Sequence, residues 1–226
     1  MRFDRSLNLI GEEAFARLRK SSVAVFGIGG VGGFVAEALA RSGVEHLAIV
    51  DKDLIDESNI NRQIIALDST IGHQKVQVMQ NRIREINPYA RVDAYCEFYL
   101  PDNADFIDLS IFDYVVDAMD NVTAKIELIK RCKSSGVPFI SAMGAANKLD
   151  PSRLKIADIS QTEVCPLARI MRRELKKQGI KGVEVAFSTE TPVQTDGRGV
   201  SASMMPVPAS MGLFIAAHII KKLAGL

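Results

Sequence analysis

The chain has 226 residues, of which 47% are hydrophobic and 24% charged, and its formal net charge is +1. Disordered chains combine low hydrophobicity with high net charge, so this composition indicates a folded protein. Three widely spaced cysteines without a C-x-x-C pair argue against a disulfide framework or a four-cysteine zinc site. The near-zero charge gives no global sign of a nucleic-acid partner, which would have to show itself as a local patch.

Neither end of the sequence has the pattern of a secretory signal or a membrane span. The N-terminus is charged from Arg2 onward and lacks a long apolar core. After Pro208, about ten apolar residues precede Lys221, whereas a spanning helix needs about 20. We therefore expect a buried C-terminal helix, no stable membrane insertion and a cytoplasmic location.

Helices and strands are predicted to alternate along most of the chain. In chain order, we predict a helix over 12–20, a strand over 22–26, a helix over 31–42, a strand over 47–50, a helix over 76–86, strands over 92–95 and 114–116, a helix over 124–133 and a strand over 137–141. Beyond them lie strands over 154–159 and 183–187 around a basic helix, then a loop over 191–206.

This alternation predicts an α/β fold of the Rossmann-like kind. The sheet is expected to be mostly parallel, with helices on both faces, and to be extended at its C-terminal end by further strands and helices. No repeat, low-complexity tract or linker interrupts the pattern, so we expect residues 1–226 to form a single domain.

A glycine-rich loop joins the first predicted strand to the next helix. Its pattern is Gly27-x-Gly29-Gly30-x-Gly32, a position where backbone N–H groups and the helix N-terminus favour phosphate. Asp51 ends the second strand, where a carboxylate suits ribose hydroxyls. These features alone fit an NAD-dependent dehydrogenase as well as an ATP site, and the glycines could instead serve a tight turn.

Further charges favour ATP over a dinucleotide. Arg62 and Lys75 supply two cations after the second strand, which suit the concentrated charge of a triphosphate. Asp117 and Asp120 follow the 114–116 strand at the edge where open α/β sheets bind ligands. A carboxylate there could hold Mg²⁺, which bridges phosphates.

Six segments in order, RFDR, GIGGVG, DKD, NINRQ, GxxK and DAMDN, resemble the ThiF/HesA/MoeB superfamily of ubiquitin-activating-like adenylyltransferases over about residues 2–145. The resemblance implies that ATP is the cofactor, that Asp51 holds its ribose, that Arg62 and Lys75 contact its phosphates and that Asp120 binds Mg²⁺. The implied nucleotide-binding residues are Gly27, Gly29, Gly30, Gly32, Asp51, Asp53, Asn59, Arg62, Gln63, Lys75, Asp120 and Asn121.

The resemblance also implies a homodimer. Arg5 corresponds to the N-terminal arginine that, in this superfamily, crosses the dimer interface to the partner's ATP. The implied catalytic set is Arg5, Arg62, Lys75 and Asp120. Such a site activates a carboxylate, which attacks the α-phosphate of ATP to give an acyl-adenylate and pyrophosphate, through positioning and charge neutralisation.

The second half of the chain bears on the identity of that carboxylate. The segments CPLAR and VAFSTE, with the arginine-rich helix between them, resemble the branch that cyclises threonylcarbamoyladenosine next to the tRNA anticodon, with release of AMP. The alternatives are an activator of a ubiquitin-like sulfur-carrier protein, for which a sulfur-transfer partner is a candidate, and a non-catalytic nucleotide sensor. The intact charges disfavour the sensor. Cys165 is expected to be a packed residue.

A basic stripe is predicted on the helix after Pro166. Arg169, Arg172, Arg173, Lys176 and Lys177 recur at helical spacing and are predicted to bind tRNA. Residues 169–182 contain six basic residues and one acid, a charge of +5 in 14 residues, against −4 over the other 212. Such a stripe can follow a phosphate backbone, although a solvated helix face would look the same.

Overall fold

Seven strands form one sheet within residues 2–194 and 202–226, the part of the chain that the computed structural model describes. The strands are β1 (Ser22–Phe26), β2 (His46–Val50), β3 (Arg91–Tyr95), β4 (Tyr114–Asp117), β5 (Phe139–Ala142), β6 (Leu154–Asp158) and β7 (Glu184–Ser188). The helices are α1 (Asp4–Ile10), α2 (Glu12–Lys20), α3 (Gly32–Ser42), α4 (Lys75–Ile86), α5 (Val122–Ser135), α6 (Pro166–Lys177) and α7 (Pro206–Ala224).

The strand order is β3-β2-β1-β4-β5-β7-β6, and all pairs are parallel except β6 with β7. The order reverses between β1 and β4, and the crevice outside the carboxyl ends of the strands at such a point is where open α/β sheets bind ligands. The mostly parallel α/β fold and its extension by β6, β7 and their helices are therefore confirmed.

Both faces of the sheet are covered, which explains the continuous apolar runs of its central strands. All five residues of β1 are buried. Val23 and Val25 belong to the core formed with α3, α4 and α7, whereas Ala24 and Phe26 belong to the core formed with α5. Alternate residues of this one strand thus pack against the helices on opposite faces of the sheet.

The C-terminal helix is longer than expected. It begins at Pro206, the last residue of the predicted loop over 191–206, because proline is well tolerated in the first turn of a helix. Within the described ranges, this 19-residue helix is the one that is long and apolar enough to cross a membrane, and half of that stretch is buried inside the protein. It packs mainly against α3 and also against α2.

The N-terminal helix α1 was not predicted, since its sequence lacks an apolar stripe. Arg2 holds it in place by donating to the carbonyl oxygens of Glu85 (2.8 Å) and Ile86 (2.5 Å) at the end of α4. The groove beside it is lined by Glu45, which precedes β2, and by Pro88, which precedes β3. Therefore α1 lies at the amino end of the sheet.

A buried ion pair lies beneath the carboxyl end of β4. The Nζ of Lys125 is 3.0 Å from Oδ1 of Asp117, and both side chains are shielded from solvent. Ser141 on β5 donates its hydroxyl to the same carboxylate at 2.5 Å. Because Lys125 and Ser141 already occupy the Asp117 carboxylate, Asp120 is the acid at this strand end that stays open to solvent.

We expect Lys125→Met to lower the free energy of unfolding by about 3–5 kcal/mol, because it leaves the Asp117 carboxylate buried without a counter-charge. The matched control on the same helix is Lys130→Met, which removes a half-exposed partner of Glu127 and should cost less than about 1 kcal/mol. Urea unfolding measures both, and similar losses for the two variants would contradict the argument.

Candidate nucleotide-binding cleft

A cleft opens at the carboxyl ends of β1, β2 and β4. It encloses about 390 Å³, within the range of small-molecule sites. Eleven of the twelve residues predicted to bind nucleotide line it: Gly27, Gly29, Gly30, Asp51, Asp53, Asn59, Arg62, Gln63, Lys75, Asp120 and Asn121. The fold therefore brings together side chains spread over nearly 100 positions of the sequence.

Gly32, the twelfth residue, is not part of the lining and closes the glycine loop from behind. A Cβ atom on Gly32 would lie 1.8 Å from the carbonyl oxygen of Gly27, which no rearrangement of a side chain can relieve. By contrast, the nearest atom to a Cβ on Gly29 would be 3.9 Å away. Gly32 thus serves the tight turn, and the open space beside Gly29 is left for a ligand.

Asp51 fastens the glycine loop to the end of β2. One carboxylate oxygen accepts the backbone N–H of Ile28 at 2.7 Å and the other accepts that of Asp53 at 2.9 Å. Burial raises the pKa of Asp51 above its ordinary value, and the Lys75 ammonium opposes that rise. A carboxylate has about four acceptor positions, so two remain for hydroxyl donors such as those of a ribose.

The two predicted cations lie in the same cleft and are both oriented. Lys75 is buried, with its Nζ 2.8 Å from Asp53 and 4.0 Å from Asp51. Arg62 donates to the carbonyl oxygen of Ser58 at 2.7 Å and to the side chain of Asn61 at 2.9 Å. Because Lys75 has three donors and Arg62 has five, both retain capacity for an anion.

The remaining predicted residues play different parts. Asp120 is exposed on the wall of the cleft. Asn121 accepts the backbone N–H of Ala124 at 3.0 Å and caps α5, a structural role that the sequence prediction did not include. The buried Oε1 of Gln63 has no hydrogen-bond partner among the described residues, so it is available to a donor in the cleft.

Sequence reasoning missed one wall of the cleft. Glu97, Phe98 and Tyr99 line it from the segment after β3, and Lys52 lies over the Phe98 ring with its Nζ 4.1 Å from the ring centroid. This segment reaches the cleft because the carboxyl end of β3 is beside that of β2 in the parallel sheet. The segment after β3 follows no helical or strand pattern, so nothing singled it out.

The predicted loop 191–206 is described in part, since 195–201 lie outside the described residues. Ser203 lines the cleft and accepts the side-chain amide of Asn61 at 2.8 Å. The backbone N–H of Ala202 donates to the side chain of Asn147 at 2.8 Å. Two asparagines thus hold this end of the loop beside the nucleotide-binding residues.

Arg5 does not belong to the cleft of its own chain. It is exposed on α1, at the amino end of the sheet, whereas the cleft lies at the carboxyl end. Any contribution of Arg5 to a nucleotide site therefore has to come from another copy of the chain.

The predicted basic stripe on α6 is only partly exposed. Arg172 is half-buried and donates to the carbonyl oxygen of Thr162 at 2.6 Å and to its hydroxyl. Arg173 and Lys177 both pair with Glu174, at 2.9 and 3.0 Å. Cys165, at the start of this helix, is buried as expected.

Comparison with known proteins places these features in a family. The ThiF family model matches residues 3–226. The chain is 45% identical to tRNA threonylcarbamoyladenosine dehydratase of Bacillus subtilis, over 98% of this chain and 94% of that protein. Two solved structures of the E. coli tRNA N6-threonylcarbamoyladenosine dehydratase, TcdA, are each 37% identical and cover 99% of this chain and 94% of that one. The complex with ATP has a TM-score of 0.91 and the complex with AMP one of 0.92.

The cleft has three features that together define a nucleotide-binding α/β protein: a glycine loop between strand and helix, an acid ending the second strand and two cations beside it. The chain belongs to the ThiF family. Over nearly its whole length it is similar to proteins that are named tRNA threonylcarbamoyladenosine dehydratase.

We expect Gly32→Ala to abolish ATP binding and lower the thermal unfolding midpoint, because its Cβ collides with the Gly27 carbonyl oxygen. Gly33→Ala is the adjacent control: its Cβ would meet Ile64 at an ordinary 3.5 Å, and alanine favours the helix by about 1 kcal/mol. Calorimetry with ATP measures both. Retained binding in Gly32→Ala would show that the turn tolerates a side chain.

Proposed function

We propose that this protein uses ATP to cyclise threonylcarbamoyladenosine in tRNA, a net dehydration. The observation that carries the proposal is the similarity to proteins named for this activity over 98% of the chain, including the half beyond the nucleotide-binding residues. The cleft supports it, because Asp51, Arg62 and Lys75 surround a space suited to a nucleotide.

The chemistry balances with ATP and the modified nucleoside as the two substrates. The substrate carboxylate attacks the α-phosphate of ATP, and pyrophosphate leaves. The nucleoside's own nucleophile then attacks the resulting acyl-adenylate, so that AMP leaves with one carboxylate oxygen and a proton is released. The ring closes with the loss of one water from the nucleoside, and no protein nucleophile takes part.

The protein's contribution is to bind the two substrates and to neutralise the charge of the phosphates. Lys75 and Arg62 stabilise the charge that develops on the phosphates as pyrophosphate departs. Asp51 accepts the ribose hydroxyls through its free acceptor positions. The buried walls of the cleft hold the carboxylate and the α-phosphate in contact, which replaces a bimolecular encounter by a positioned one.

Mg²⁺ is part of the proposal, with Asp120 as its protein ligand. Mg²⁺ usually takes one or two carboxylates together with phosphate oxygens and keeps several waters. Asp120 fits this demand, because its exposed carboxylate lies on the wall of the cleft beside the space for the phosphates. The ion would supply further neutralisation of phosphate charge.

We further propose a single adenylyltransferase domain over 1–226 that acts as a cytoplasmic homodimer. The position of Arg5, at the end of the sheet opposite its own cleft, supports the dimer, because this arginine can reach a nucleotide only in a partner chain. A sulfur-transfer protein is a candidate additional partner.

The tRNA contact is assigned to the predicted stripe of Arg169, Arg172, Arg173, Lys176 and Lys177. Four members of the stripe are exposed and keep at least part of their donor capacity directed to solvent: Arg169, Arg173, Lys176 and Lys177. The surrounding 169–182 segment is strongly positive while the rest of the chain is negative, which concentrates attraction for phosphates on this face.

A direct assay tests the activity. With ATP, Mg²⁺ and tRNA bearing threonylcarbamoyladenosine, mass spectrometry of the digested nucleosides should show the loss of one water, with AMP and pyrophosphate formed. Lys75→Ala should lower kcat/KM about 100-fold or more, whereas Lys221→Ala, on an exposed site of α7, should leave it unchanged. An unchanged nucleoside together with adenylation of a sulfur-carrier C-terminus would favour the alternative function.

Complementation tests the shared site. Arg5→Ala and Lys75→Ala should each be inactive alone, since each lacks a cation at every nucleotide. Mixed and allowed to exchange subunits, they should recover about a quarter of wild-type activity, because half of the dimers then hold one intact site. No recovery in a mixture shown by native mass spectrometry to contain the heterodimer would contradict the assignment of Arg5.

A further inference from the structure

A second groove lies along α6, outside the nucleotide-binding cleft. It encloses about 650 Å³ between this helix and the turn that precedes β7. Its floor is aliphatic: Ile180 is half-exposed there and lies over Ile159 and Leu175, which are buried. Its rim is basic, from Arg169, Arg172, Arg173, Lys176 and Lys181.

The charges around this groove are unbalanced. Five cations line it together with a single lining carboxylate, Asp158, and one of the five, Arg173, pairs with Glu174 at 2.9 Å. The side chains of Arg169, Lys176 and Lys181 have no hydrogen bond or ion pair within the described residues. The groove therefore has an excess of positive charge, which favours the binding of an anion.

One wall of the groove is already fixed in position. Arg172 is held by its two hydrogen bonds to Thr162, so its planar guanidinium is oriented before any ligand arrives. A guanidinium plane is one of the surfaces on which unstacked RNA bases pack. An oriented plane loses little side-chain entropy when a base packs against it.

We infer that this groove holds an unstacked nucleotide of the tRNA, its base against the aliphatic floor and its phosphates on the basic rim. The inference rests on the proposed function and extends it. Binding of the RNA phosphates alone would need only the basic stripe, without the groove. An acidic peptide would satisfy the rim, but it would leave the apolar floor without a matching flat, apolar partner. A nucleobase supplies such a face next to an anionic phosphate.

The groove is within reach of the proposed reaction. Cys165, at the start of α6, lies beside Gly144, since a Cβ there would be 3.5 Å from its Sγ. The adjacent Ala145 lines the nucleotide-binding cleft. The 12 residues of α6 then span about 18 Å, which a stacked strand covers in about five nucleotides.

Photo-crosslinking with the unaltered protein gives the first test. The probe is tRNA carrying 4-thiouridine at single positions of the anticodon loop, irradiated in the presence of the full chain and ATP. Mass spectrometry should place the crosslink of one loop position within residues 159–182. Crosslinks that map only outside this segment would overturn the inference, whether or not the tRNA is modified.

Two variants separate the floor from the rim. Ile180→Asn makes the floor polar without changing charge, and we expect about 10-fold weaker tRNA binding with an unchanged slope of log affinity against log salt. Lys176→Ala removes one phosphate contact, and we expect that slope to fall by about 0.7. The matched controls are Ile111→Asn and Lys221→Ala, exposed residues outside the groove. Both should bind tRNA like the wild type.

The outcomes distinguish the inference from the function on which it rests. If wild-type protein dehydrates tRNA while Ile180→Asn binds normally and Lys176→Ala lowers the salt slope, α6 is a phosphate track only and the base site is wrong. If wild-type protein neither binds nor modifies tRNA, the proposed function fails and the groove has no nucleotide to hold. Thermal unfolding and ATP binding of Ile180→Asn exclude a loss caused by misfolding.

Discussion

The nucleotide-binding cleft depends on the carboxylate of Asp51. Its two oxygens hold the N–H of Ile28 in the glycine loop and that of Asp53 after β2, so one side chain joins the ends of two strands. The pairing of β1 with β2 brings those ends together, and Asp51 fixes the loop above them. Burial makes its charge costly, which is why the nearby Lys75 matters. Asp51, which anchors the loop, and Lys75, the proposed cation for the phosphates, are thereby parts of one electrostatic unit.

A second carboxylate, that of Asp117, supports the cleft from below. Its pairing with Lys125 and Ser141 links β4, α5 and β5 beneath the cleft. Sequence alone makes Asp117 and Asp120 look equivalent, since both follow an apolar strand. The structure separates them by burial. Asp117 lies inside the sheet and already has a counter-charge, whereas Asp120 is three residues further on, where the chain has emerged into solvent.

The sequence predicts most of the fold, because its strong signals are local. The β1 run, the glycine loop, α3 and β2 are adjacent in the chain, and the Rossmann pattern needs nothing else. The missed features depend on contacts between distant segments. Arg2, just before α1, contacts the end of α4, and Phe98 belongs to the cleft because β3 pairs with β2. Likewise, Arg172 belongs to the predicted basic stripe but is half-buried, because Thr162, ten positions earlier, accepts its hydrogen bonds.

The distribution of charge connects the two halves of the molecule. A net charge of +1 conceals a positive segment of 14 residues on a chain that is otherwise negative. Positive charge is thereby concentrated on the segment that contains most of α6, which is the segment proposed to contact tRNA. The same helix begins beside the carboxyl edge of the sheet, where the nucleotide-binding cleft opens. If tRNA binds along α6 as proposed, a strand that follows this helix toward its N-terminus reaches the cleft in which its carboxylate is proposed to meet ATP.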